Sequence, residues 1–172
     1  MPPLDNIEIV GLFERWGAHF GWFDGKIDLG VLDLSPFATP DCALTAHAPL
    51  WGTKEGAERA VPIADVRKRV ARILKLVRLT RHDMHLAIHP DGDAMAIFFR
   101  AEFRFVFLPV TMRTERVAFV AKATETASGL RFSKVDEWRA ADPEAAGRIL
   151  VQHHDWPADT VLHPQVVFGA AS

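Results

Sequence analysis

Several groups of residues in this chain have types and spacings suited to acid–base chemistry. His82, Asp83, His85 and His89 crowd one short stretch. His47 precedes Trp51 by a few residues, Arg100, Glu102 and Arg104 alternate, and Asp136, Glu137 and Trp138 stand in a row. An imidazole titrates near neutrality, and a carboxylate beside it can hold one tautomer, so Asp83 with His85 is a candidate proton shuttle. In an unbroken strand His85 and His89 share the parity of Asp83, and His82 faces the other way. A metal site needs ligands converging from separate strands, and none is assigned. Arg100 on a buried face would hold an oxyanion. On an exposed face the same row would pair across strands with Glu115, Arg116 or Lys122. Asp136 shares its alternation with Phe132, Lys134 and Trp138. If that face lines a cavity, an apolar surround makes Asp136 a better general base. With the parity reversed, Glu137 takes that place. Asp136 is the first candidate.

These residues need elements to position them. Ile9, Leu12, Phe13, Trp16 and Phe20 recur at helical spacing, with Asp5 and Glu8 as a capping box. Trp16 and Phe20 then serve as core or pocket wall. A short helix is expected over 26–34. Cys42 to His47 reads as a short strand, with His47 and Trp51 flanking its exit. A helix follows over 65–78, with Pro62 near its first turn and Val66, Val70, Ile73, Leu74 and Val77 as its apolar stripe. Its basic face is read as solvated. The period then becomes two. Leu79 to His89 alternates, Pro90-Asp91-Gly92-Asp93 turns the chain, and Ala94 to Leu108 is a long strand with Phe99 on one face and Arg100 on the other. Glu115 to Thr126 and Leu130 to Arg139 continue the meander through a Ser128-Gly129 turn. Asp142-Pro143 opens a last helix, and Val166-Val167-Phe168 is a final apolar run. Helices segregated from a meander make an α+β fold with a long, curved antiparallel sheet.

Composition narrows the functions further. A chain of 172 residues fits one domain, taken here as 1–172 with a core of about 5–146 and an extension over 147–172. The net charge of −2 points to neither nucleic acid nor an anionic membrane. No stretch approaches the roughly 20 apolar residues of a membrane span, and the start lacks a secretory pattern. A cytoplasmic protein is the expectation. Cys42 is the only cysteine, so no disulfide framework or cysteine-rich zinc site is expected. No phosphate-binding loop, dinucleotide fingerprint or Gly-x-Ser-x-Gly elbow appears. Tyrosine is absent, so any acid–base chemistry proceeds without a phenol.

Three stretches together resemble SnoaL-like proteins of the nuclear-transport-factor-like cone-fold superfamily. They are Asp24-Gly25-Lys26-Ile27-Asp28 through Ser35-Pro36-Phe37-Ala38-Thr39-Pro40-Asp41, then His47 to Gly56, then Gly129 through Asp136-Glu137-Trp138 with Asp142-Pro143 after it. The resemblance implies a cone-like α+β barrel wrapped by N-terminal helices, with a hydrophobic pocket and often a homodimer. It places His47 near the pocket mouth as a general base and Trp51 as a wall, with Trp16, Phe20, Phe99 and Trp138 as further substrate contacts. Trp138 stands where the family usually has tyrosine, so a Tyr–Asp oxyanion pair is ruled out. The extension would cap the pocket or dress a dimer interface. The implied function is a cofactor-independent enzyme working by general acid–base chemistry on a hydrophobic cyclic or aromatic small molecule. Lyase, isomerase or dehydratase, cyclase and hydrolase outcomes all remain open. The alternative is a non-catalytic small-molecule-binding or protein-interaction module on the same fold.

Overall fold

Alternation from Val77 to Arg139 folds as four long strands in a meander, seen in a computed structural model that describes residues 8–19, 35–47, 59–66, 76–108 and 110–164. The strands are β3 (Val77–Ile88), β4 (Ala94–Phe105), β5 (Thr111–Thr126) and β6 (Gly129–Arg139). Two short strands precede them, β1 (Ala43–Ala46) and β2 (Arg59–Pro62), and β7 (His163–Pro164) follows. One sheet of order β2-β1-β6-β5-β4-β3-β7 contains all seven, and it is curved and unclosed. β1 runs parallel to β6, while every other neighbouring pair is antiparallel. Helix α1 spans Glu8–His19 and α2 spans Pro143–His153, with a 3₁₀ turn at Ser35–Phe37. Among the described residues no helix is long and apolar enough to cross a membrane.

Each sheet face has its own apolar layer. Ile9, Leu12 and Phe13 of α1 pack with Ile97, Phe99, Val117 and Phe132. On the opposite face, Ala146 and Leu150 of α2, with Trp156 and Leu162, pack on Ala96, Phe98, Ala118 and Val120. The alanines on that face let the helix approach the sheet closely. Burial from both sides explains why Ala94 to Phe99 is buried without a break. Asp142 starts α2 as expected: its side chain accepts from the Ala145 amide at 2.7 Å, and Pro143 occupies the first turn.

Several expectations are corrected. Arg59–Pro62 is a strand paired with β1, and Pro62 both ends it and directly precedes the helical residues 63–66. Residues 63–66 are helical, and Val77 belongs to β3, not to a helical stripe. A bulge interrupts β3 between His82 and His85, with Asp83 at φ 55°. It resets the parity: His82 lies opposite Arg100 and His85 opposite Phe98, which puts both histidines on one face. A second bulge, between Lys122 and Ala123 on β5, leaves Ser133 out of register on β6. Phe132 therefore turns to the α1 layer, away from the face of Lys134, Asp136 and Trp138. The described part of the extension, through Leu150, Trp156 and Leu162, packs on the sheet face opposite α1. The expected helix over 26–34, Asp5, Phe20, Trp51 and the run 166–168 lie outside the described residues.

Candidate functional site

β6 presents its side chains alternately to the two layers. Val135, Glu137 and Arg139 face the α1 layer, and Lys134, Asp136 and Trp138 face the α2 layer. Glu137 thus lies on the α1 side and Asp136 on the α2 side. Glu137 lies opposite Phe119, whose ring is 5.7 Å from that of Phe99. Arg139 lies opposite Val117, and its guanidinium bridges the buried Glu115 carboxylate. Glu115 itself lies opposite Ala101, and Ala101 opposite Arg81. Two carboxyls and two guanidinium groups therefore share a face otherwise built of Phe99, Phe103, Val117 and Phe119. Trp16 closes the α1 side, 5.5 Å from Phe13 and 6.0 Å from Phe132.

Burial dominates the electrostatics there. Glu137 is 8% exposed. Desolvation pushes its carboxyl up to about 8; Arg139 opposes the rise and Glu115 adds to it. Desolvation also brings the Arg81 guanidinium down to about 9, and its charge sits 5.9 Å from the Phe99 ring centre. A carboxyl that changes protonation near neutrality inside an apolar wall can take a proton from a substrate and return it.

The opposite face unites two residues from distant parts of the chain. His47 leaves β1 beside β6, and its Nε2 is 2.6 Å from Asp136 Oδ1. Lys134 Nζ is 3.0 Å from Asp136 Oδ2. The His47 ring stacks on Trp138 at 3.9 Å, and His153 stacks on Trp138 at 4.6 Å. The Trp138 indole N–H donates to His154 Nε2 at 2.9 Å. His47, Asp136 and Trp138 are thus brought together, but between the sheet and the end of α2, away from α1. Trp138 is stacked between the rings of His47 and His153.

The remaining candidates fall out as follows. Asp83 does not orient His85 with its carboxylate. The His85 Nδ1–H donates to the Asp83 backbone carbonyl at 2.9 Å, and the carboxylate accepts from Arg100 Nε at 3.0 Å. Arg100 also donates to Glu102 at 2.8 Å, and Arg104 donates to Glu102 at 3.1 Å. Arg100 therefore belongs to an ion-pair row on the face away from α1, formed with Asp83 of β3 instead of with Glu115, Arg116 or Lys122. Phe99 and Trp16 belong to the apolar layer on the α1 side. His89, Asp91 and Asp93 cluster at the β3–β4 turn. There the Asp91 amide donates to His89 Nδ1 at 3.3 Å and Lys122 pairs with Asp93, which makes the cluster a turn brace. Glu115, Arg139 and Arg81 were missed. Their signal was available in part, since Glu115 alternates in step with Val117 and Phe119.

No protein-family profile matches the sequence, and no curated relative matches it. Solved structures do match the backbone. ActVI-ORFA from Streptomyces coelicolor aligns with a TM-score of 0.52 at 11% identity, over 82% of this chain and 98% of that one. An NTF2-like protein with a cystatin-like fold from Novosphingobium aromaticivorans aligns at 0.45 and 16% identity, over 84% of this chain and 87% of that one. A candidate polyketide cyclase from Xanthomonas campestris aligns at 0.48 and 13% identity, over 74% and 87%. The chain shares the backbone fold of ActVI-ORFA. Identities this low speak to the fold alone. Within this fold the chemistry must be argued from the side chains.

Proposed function

We propose that this chain is a cofactor-independent enzyme that moves a proton on a hydrophobic cyclic or aromatic small molecule, with Glu137 as the proton carrier. The observation behind this reading is the Glu137 carboxyl, buried beside Phe119 on the α1 face and pushed up to about 8 by desolvation. A carboxylate in bulk water is a weak base, whereas one stripped of water gains basicity. Phe99, Phe103 and Phe119 supply a wall suited to an apolar ring. The guanidinium groups of Arg81 and Arg139 on the same face would steady an enolate or alkoxide formed when the proton leaves. Glu137 is preferred to Asp136 as the carrier because Asp136 is already engaged by His47 and Lys134.

Two generic probes of a desolvated base test this. One is ring opening of 5-nitrobenzisoxazole, followed by the absorbance of its phenolate product. The other is deuterium uptake next to the carbonyl of 2-tetralone, followed by NMR. As a base, Glu137 acts when deprotonated, so rates should rise with pH and level off above about 8. Glu137→Gln should lower the rate on at least one probe by about tenfold or more. Equal rates for the wild-type chain and Glu137→Gln on both probes would overturn the proposal and leave the non-catalytic binding module as the reading of this fold.

A further inference from the structure

Arg139 is the middle member of a row of three charged side chains. On β6 it stands two residues beyond Glu137, so both point to the α1 face. Glu137 lies opposite Phe119 and Arg139 opposite Val117. Glu115 is the next α1-facing position along β5, diagonal to Arg139 and on the far side of it from Glu137. Along this face Arg139 therefore stands between two glutamates, both buried. A diagonal neighbour and an i−2 neighbour are each within reach of an arginine side chain. The guanidinium is turned toward Glu115, with Nη1 bridging Oε2.

We propose that Glu115 is a positioning residue for Glu137: it engages the Arg139 guanidinium and holds that cation off the neighbouring carboxyl. A guanidinium set directly against Glu137 would favour the carboxylate and weaken it as a base. A carboxylate that pairs with arginine typically loses about 1–3 pH units of proton affinity. The bridge to Glu115 satisfies Arg139 elsewhere and leaves burial in control of Glu137. Its meaning for catalysis rests on the reading of Glu137 as proton carrier, but the coupling is measurable without any substrate.

The experiment is a carbon-NMR titration of protein carrying ¹³C-labelled glutamate side chains, with the Glu137 signal assigned by its loss in Glu137→Gln. Glu115→Gln should move the Glu137 midpoint down by about 1–3 pH units as Arg139 turns to it. In an Arg139→Gln background the same Glu115→Gln change should move the midpoint far less, because the cation is gone. If Glu115→Gln does not fold, Glu115→Asp draws the acceptor back by one methylene and should move the midpoint down by a smaller amount. An unchanged midpoint in the folded Glu115 variant overturns the proposal. So does an equal displacement with and without Arg139, because Glu115 would then act by direct repulsion. Loss of probe turnover in Glu137→Gln, with no response of its midpoint to Glu115, would retain the enzyme reading and reject this inference. A responsive midpoint without turnover would do the reverse.

Discussion

Asp136 and Glu137 share a peptide bond and are buried against opposite layers of the molecule. Asp136 is 2% exposed under α2, with His47 and Lys134 on its two oxygens, and Glu137 is 8% exposed toward α1. The pleat separates them, since successive side chains on a strand point to opposite faces. Asp136 is held by specific partners, while the environment of Glu137 is dominated by desolvation. The two carboxyls should therefore respond differently to substitution.

Stability should fall as pH rises because of Glu137. Its carboxyl titrates at about 8 in the folded chain against an ordinary value of 4.5. Between those values the folded chain holds a proton that the unfolded chain has released, so stability declines across that window. Glu137→Gln cannot ionise and lacks this decline. Melting curves of the two proteins should nearly coincide at pH 5. At pH 9 the variant should melt several degrees higher, at roughly 2–4 °C per kcal/mol for a chain of this size. Curves that stay parallel from pH 5 to pH 9 would contradict the buried, proton-holding state.

Asp136 should matter for stability through its two partners. Asp136→Ala removes the acceptor for His47 and Lys134 in one step and should cost about 1–3 kcal/mol in urea unfolding. Lys134 is largely exposed, so Lys134→Gln should stay within about 1 kcal/mol of the wild type. A larger loss for Lys134→Gln than for Asp136→Ala would mean that the His47 contact contributes little.

The end of α2 should dock less firmly in acid. His154 Nε2 accepts the Trp138 indole proton, which only the neutral imidazole can do. Burial keeps the His154 pKa below its ordinary 6.5; Asp136 opposes this, while Lys134, His47 and His153 reinforce it. Below pH 6.5 the unfolded chain binds a proton that the folded chain resists, so this contribution is lost as pH falls through the folded value. His154→Ala should destabilise by about 1–2 kcal/mol at pH 7.5 and by less at pH 5. The indole N–H resonance of Trp138 should move on acidification in the wild type and stay put in the variant.

Asp142 should set the start of α2. Its carboxylate accepts from the Ala145 amide. Asp142→Ala should cost about 1 kcal/mol, and Asp142→Asn much less, as read by thermal melting. Equal losses for both would point to charge instead of the capping hydrogen bond.

The sequence by itself determined what short-range patterns can encode. Helical spacing located α1, the period of two located β3 to β6, the Pro90 to Asp93 turn joined β3 to β4, and Asp142-Pro143 marked the start of α2. Such patterns act within a few residues, so they survive reading along the chain. Tertiary structure decided the rest. Alternation divides a strand into two faces but says nothing about which face receives a helix, and so it could not choose between Asp136 and Glu137. Bulges at Asp83 and near Ser133 reversed the parity of His85 and Phe132, because one unpaired residue turns every later side chain over. β2 exists through its pairing with β1. The contacts of His47 with Asp136, and of Arg139 with Glu115, join segments that only the folded sheet brings side by side.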